Sequence, residues 1–267
     1  MLGTLLDRTV GTALPLPRGL EERYGGALRF PAEGTHVLAN FVSSLDGVVS
    51  FNLPGKAQAA LISAGHPADR FVLALLRAAA DAVLVGAGTL RQEPQAIWTP
   101  EAVFPDAAAD FAALRAALGK PARPLTVLMT ISGNLDLALP VFGTGDPVLV
   151  LTTERGARRL AGAPSHVRVR ALAATTAAEM VRASAAEAGG RLILTEGGPT
   201  ILGQFVREGV LDELFLTLAP LLVGRSETER RLALIEHAAF DPEDAPRTRL
   251  RSVKAADDYL FIRSALH

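Results

Sequence analysis

Cysteine is absent from the 267 residues, so neither a disulfide nor a thiolate metal site can be built. That composition fits a reducing compartment, and a cytoplasmic location is the expectation. Charge of one sign is absent too. The 27 Lys and Arg residues nearly balance 28 Asp and Glu, leaving a net charge of -1. This removes the general electrostatic case for nucleic acid or an acidic membrane surface as partner. No apolar run is long enough to span a bilayer. Met1–Val10 carries Asp7 and Arg8 and does not read as a signal peptide. The histidines, His36, His66, His166, His237 and His267, never pair at metal-ligand spacing, so no metal is expected. A GxSxG elbow and a P-loop are both missing. Aromatics make up only 5%, and Trp98, Phe41 and Phe51 read better as core than as stacking platforms.

What is present is a hydrophobic content of 49%, ample for a core, arranged as alternating strands and helices. Residues 1–35 hold Pro15, Pro17, Gly25, Gly26, Pro31 and Gly34 and read as an irregular N-terminal extension with a helical turn near Leu20–Tyr24. Residues 36–267 read as one domain. Strands are expected at His36–Val42, Ala82–Val85, Leu125–Thr130, Pro147–Thr152, His166–Leu172, Leu192–Thr195 and Asp212–Ala219. Helices are expected at Pro67–Ala80, Glu154–Ala161, Thr176–Ala188 and Pro199–Glu208. Residues 91–124 form an excursion with a helix near Ala107–Leu118. Thr248–Val253 and Tyr259–Ser264 close the chain as an antiparallel pair. The fold class is therefore α/β, with a mostly parallel central sheet flanked by helices.

Three segments read as buried strands running into turns: Ser43-Ser44-Leu45-Asp46-Gly47, Gly86-Ala87-Gly88-Thr89 and Glu196-Gly197-Gly198-Pro199-Thr200. At the carboxyl ends of parallel strands they would line one crevice. In the last, two glycines let the backbone approach a ligand and Pro199 opens a helix whose free amides favour phosphate. An ordinary strand-to-helix turn explains the same residues. Gly86-Ala87-Gly88 lacks a third fingerprint glycine, and no helix clearly starts at once. Asp46-Gly47 makes a plain turn. Its functional reading places Asp46 on the crevice floor, where desolvation would raise its pKa and suit it to acid work.

In this order the three segments resemble the reductase domain of bacterial riboflavin biosynthesis proteins, the RibD C-terminal family. The resemblance rests on "ANFVSSLDG", "LLRAAADAVLVGAGTLR" and "LILTEGGPTILGQFVREGVLDELFLTLAPLLVG" and covers roughly residues 36–264. It implies a dihydrofolate reductase-like fold, hydride transfer from NADPH and a homodimer, with Asp212–Ala219 a candidate for its interface. It also implies that Gly86, Gly88, Thr89, Gly197, Gly198, Pro199 and Thr200 hold the cofactor, with Ser43 and Thr130 facing it. Asp46 and Glu196 are the implied catalytic residues. Asn40, Ser63 and Glu196 are implied on the substrate side, with Lys56 or Arg91 near a phosphate. Three departures fall on that side. Asn40 stands where the family commonly has lysine, Leu61 replaces a tryptophan, and Glu93-Pro94 replaces Asp-Pro with no arginine soon after.

The implied reaction reduces the ribose of a ribosylaminopyrimidine phosphate, with the nicotinamide and the acceptor carbon held in alignment. The alternatives keep the fold with a different substrate, a dihydropterin or a small imine or carbonyl, or a non-catalytic nucleotide-binding paralogue. A deazaflavin cofactor is a lesser variant.

Overall fold

The computed structural model describes residues 1–266 and builds them around a ten-stranded sheet. The chain opens with β1 (Gly3–Asp7), β2 (Thr12–Ala13), α1 (Arg18–Tyr24) and β3 (Arg29–Phe30). It continues through β4 (His36–Ser43), β5 (Val48–Ser50), α2 (Gln58–Ser63) and α3 (Pro67–Ala79). Pro67 sits in the first turn of α3, and the His66 side chain accepts from the Ala68 amide as its cap. Next come β6 (Ala82–Gly86), α4 (Ala87–Gln92), α5 (Pro100–Val103), α6 (Ala108–Ala117) and β7 (Leu125–Met129). Then follow β8 (Val148–Thr152), α7 (Glu154–Arg159), β9 (Val167–Ala171) and α8 (Ala177–Ala188). Thr176 caps α8 through its hydroxyl and the Glu179 amide, as the Thr-x-x-Glu spacing predicts. The last elements are β10 (Leu192–Gly197), α9 (Pro199–Arg207), β11 (Glu213–Leu218), β12 (Leu232–Ala233), β13 (Thr248–Ala256) and β14 (Tyr259–Leu266).

The strand order is β1-β13-β14-β11-β4-β10-β6-β7-β8-β9. From β11 to β9 every neighbouring pair is parallel. The strands β6, β7 and β8 are buried at every position, the mark of a sheet covered on both faces. One face packs Phe71, Leu75 and Leu76 of α3 on Val83, Val85 and Leu128. The other packs Met180 of α8 and Leu202 and Phe205 of α9 on Ala39, Leu84 and Val127. The decisive topological step is β10. It arrives late in the chain yet inserts between β4 and β6, so the strand order reverses around it. Open α/β sheets bind ligands outside the carboxyl ends of strands at such a point.

The N-terminal reading needs correction. Residues 1–35 are not an irregular lead-in, because β1 pairs antiparallel with β13 and extends the main sheet. Leu2, Leu20, Leu28 and Phe30 are buried in the core. The outer edge position of β1 hid it, since four of its five residues are exposed and no apolar alternation marks it. Residues 91–124 are likewise a packed layer, with Trp98, Phe104, Phe111 and Leu114 buried on the α3 side. Among the described residues no helix is long and apolar enough to cross a membrane. His267 lies outside the described residues.

Candidate functional site

Two strand-to-helix turns meet at the carboxyl ends of β6 and β10. Gly86 is the N-cap of α4 and Gly198 that of α9, and neither helix has a side-chain cap. Their first amides are therefore left for water or a ligand. A helix does start at once after Gly86, contrary to the sequence reading. Both turns are close-packed, and the second requires glycine. A Cβ at Gly86 would come within 2.6 Å of Ile201 Cδ1. Gly197 has φ +73°, and a Cβ there would lie 2.6 Å from Phe41 Cζ. The Gly197–Gly198 peptide bond is cis.

Between the turns lies a cleft of about 620 Å³, within the range of small-molecule sites. Of the residues expected to hold a cofactor, Gly86, Gly88, Thr89, Thr130, Gly198, Pro199 and Thr200 line it. Ser43 and Gly197 do not. Ser43 is buried, its hydroxyl donating to the Ser44 carbonyl at 2.9 Å, and Gly197 is packed on Phe41. Sequence reasoning missed Gln92, Ser132, Gln204 and Arg207. Helical spacing was the available signal for two of them: Thr200, Gln204 and Arg207 stand at i, i+4 and i+7 on one face of α9. Leu232, arriving from β12, carries no such signal. Arg91 and Arg207 both line the cleft, and among the described residues its wall has no Asp or Glu. The wall thus offers positive charge, hydroxyls and open amides to an anionic ligand. Lys56 is exposed and lies outside it.

A second polar group sits on the α3 face of β10. Alternation along the strand sends Leu192, Leu194 and Glu196 to that side. Arg77 of α3 donates Nε to Glu196 Oε1 and Nη2 to Oε2, each at 2.6 Å. Its Nη1 donates to the carbonyls of Ile97 and Thr99, both at 3.2 Å. The two side chains are 5% and 9% exposed, so this is a buried bidentate pair. Glu93 stands close by, accepting from the Gln58 amide at 3.1 Å. Burial pushes its carboxyl above the ordinary range, and the nearby Glu196 charge adds to that. The short helix α4 links the two regions: Gln92 lines the cleft and the next residue, Glu93, meets the ion pair.

Four expected residues are placed differently from the sequence reading. Asp46 is exposed and is not an acid on a crevice floor. It accepts from the Ser44 hydroxyl at 2.6 Å and from the Val223 and Gly224 amides at 3.1 and 2.7 Å. These bonds favour its charged form and hold its pKa down at about 2. Its work is to clamp the turn after β4 to the segment after β11. Glu196 is no free substrate anchor, being committed to Arg77. Ser63 is 1% exposed and faces the buried Asp69. Asn40 lies outside the cleft, over a small cavity beside Tyr24 and Lys254.

The chain matches the family described as the RibD C-terminal domain over residues 35–259. No curated protein matches it. Among solved structures it is similar to a pyrimidine reductase-like protein from Corynebacterium diphtheriae, with 22% identity and a TM-score of 0.68 over 87% of this chain and 92% of that one. It is also similar to a diaminohydroxyphosphoribosylaminopyrimidine deaminase/5-amino-6-(5-phosphoribosylamino)uracil reductase from Thermotoga maritima. There the identity is 21% and the TM-score 0.63, over 88% of this chain but only 57% of that one. A riboflavin biosynthesis reductase from Saccharomyces cerevisiae shares 15% identity, with a TM-score of 0.56 over 94% of this chain and 97% of that one. These likenesses establish a dihydrofolate reductase-like fold.

Proposed function

Because the chain belongs to the RibD C-terminal domain family, we propose that it is an NADPH-dependent reductase acting on the ribose of a ribosylaminopyrimidine phosphate. The observation that carries this reading is the cleft at the β10 switch point, walled by both glycine turns and two arginines and free of carboxylates among the described residues.

The residues present fit the cofactor. The uncapped starts of α4 and α9, the hydroxyls of Thr89, Thr130 and Thr200, and Arg91 suit phosphates and ribose hydroxyls. When bound, NADPH would supply a hydride to the acceptor carbon. The wall formed by Met129, Leu151 and Leu172 keeps part of the cleft apolar. On the other face Glu93 accepts from the Gln58 backbone amide, and burial raises its pKa. Arg77 and Glu196 fix the floor beside it.

A second reading, the same fold reducing a dihydropterin or a small imine or carbonyl, is favoured by one observation. Asn40, Ser63 and Glu196, the residues expected on the substrate side, do not line the cleft. A homodimer would use the outer face of β11 and β14, where the register pairs Leu216 with Ile262 and Leu218 with Leu260, all at least partly exposed. A cytoplasmic location fits the cysteine-free chain.

The test is a fluorescence titration with NADPH and NADH, then turnover with the pyrimidine phosphate and with dihydrofolate. Saturable binding that prefers NADPH and turnover of the pyrimidine phosphate support the first reading. Turnover of dihydrofolate alone supports the second. Binding without turnover of either points to a non-catalytic paralogue, and no binding overturns both readings.

A further inference from the structure

The cleft extends past its two glycine turns, and its far end has a chemistry of its own. The turns stand on β10 and β6, and the sheet continues from there through β7 and β8. Neighbouring strands lie about 4.8 Å apart, so the cleft runs on for about 10 Å beyond the β6 turn. Met129 and Leu151 line it at the ends of β7 and β8, and Leu172 and Met180 line it on the α8 side. Where the turns offer amides and charge, this end offers mostly carbon and sulfur. Among the described residues none of the wall comes from β4.

Gln204 of α9 is the fixed polar group of that end. It stands one helical turn, about 6 Å, beyond Thr200. Its Nε2 donates to the Thr175 carbonyl and to Glu208 Oε1, both at 2.8 Å. Glu208 is held in turn, because its Oε2 accepts from the Ala177 amide at 2.7 Å at the start of α8. Both protons of the carboxamide nitrogen therefore go to oxygens that can only accept, and this sets which way the side chain faces. Its Oε1 makes no hydrogen bond among the described residues. What Gln204 has left to offer a ligand is an acceptor of fixed direction. Thr130 and Ser132 across the cleft carry hydroxyls that turn to donate or accept, so they discriminate less.

A dinucleotide with its diphosphate at the turns has two halves to place. The reacting half has to meet a second molecule. Gln92 leads that way, since its Nε2 donates to Oδ1 of the exposed Asn52 at 3.2 Å. The other half is left with the end that stops against α8. An aminopurine suits it, with ring faces for Leu172 and Met180 and an exocyclic N–H for the acceptor. We propose that this end of the cleft holds the adenine of the cofactor and that Gln204 is the residue that selects it, Oε1 accepting from the exocyclic amine. The inference rests on the reading of the cleft as an NADPH site. A 6-oxopurine would set oxygen against oxygen there.

The test is a fluorescence titration of the full chain with NADPH and with reduced nicotinamide hypoxanthine dinucleotide phosphate. The two carry the same fluorescent ring and differ only in the purine. The hypoxanthine form should bind about tenfold more weakly. Q204M keeps the length of the side chain and removes the acceptor. It should weaken NADPH about tenfold and leave the hypoxanthine form within about twofold, bringing the ratio close to one. If Gln204 only ties α9 to α8, Q204M weakens both cofactors alike and the wild-type ratio survives, which overturns the proposal. Equal affinities in the unaltered chain overturn it without any variant and leave the NADPH reading standing. Absence of saturable NADPH binding overturns both.

Discussion

On one side of β10 the chain offers backbone amides, hydroxyls and two arginines around an open cleft. On the other it holds a guanidinium and a carboxylate clamped together and almost dry. The first surface is made by local chemistry, since each turn is a few consecutive residues whose glycines permit the backbone path. The second is made by distance, since Arg77 and Glu196 lie 119 residues apart and meet only when β10 inserts beside β4. A binding wall can thus be exchanged residue by residue, whereas the buried pair is tied to the stability of the fold.

That contrast can be broken most sharply at the pair. E196Q leaves Arg77 buried with half its partner, and loss of one member of such a pair costs about 3–5 kcal/mol. Urea unfolding should show that loss, while NADPH affinity stays within about twofold in the same preparation. A tenfold change in affinity would mean that the two sides are not separable. G197A comes next. It places a Cβ at positive φ against Phe41, a strain of about 1–3 kcal/mol, and it should weaken NADPH at least about tenfold by displacing the start of α9. Unlike E196Q, it affects both readouts.

Arg91 tests the cleft alone. R91A should weaken NADPH by roughly three- to tenfold at low salt, less at high salt, and leave the unfolding midpoint in place. A salt-independent loss would remove Arg91 from phosphate binding. The smallest effect concerns protons. Glu93 has its folded pKa raised above the ordinary 4.5. Its contribution to stability is therefore full below that value and is lost as pH rises through the folded pKa. E93Q should flatten this decline, measured as unfolding free energy from pH 4 upward. Asp46 behaves in the opposite sense. Its pKa is lowered to about 2, so its contribution is present above the ordinary 3.8 and fades as pH falls through 2. D46N should leave the neutral pH–rate profile unchanged in shape.

Much of the sheet was legible in the sequence because continuous apolar runs such as Ala82–Val85 and Leu192–Leu194 read as doubly covered strands. The wall of the cleft was legible for a similar reason: glycines before Thr89 and before Pro199 mark turns whatever surrounds them. Asp46 misled because an acid before a glycine looks the same whether it faces a substrate or caps a loop. Only the amides of Val223 and Gly224, far along the chain, decide between the two. Glu93 was noticed as a departure from Asp-Pro, but its burial depends on Gln58 and on the Arg77 pair. Within residues 1–35 the helical turn near Leu20–Tyr24 was legible as α1, but β1 was not, because it borrows its partner from the far end of the chain.

That borrowed partner sets a schedule for synthesis. Gly3 pairs with Ala255 and Asp7 with Ser252, so β1 is made long before the strand it pairs with. Until β13 emerges, β1 has no neighbouring strand in the main sheet, and only contacts such as the Leu2 amide to the Arg23 carbonyl at 2.9 Å can hold it. This edge of the sheet therefore closes only after β13 has been made.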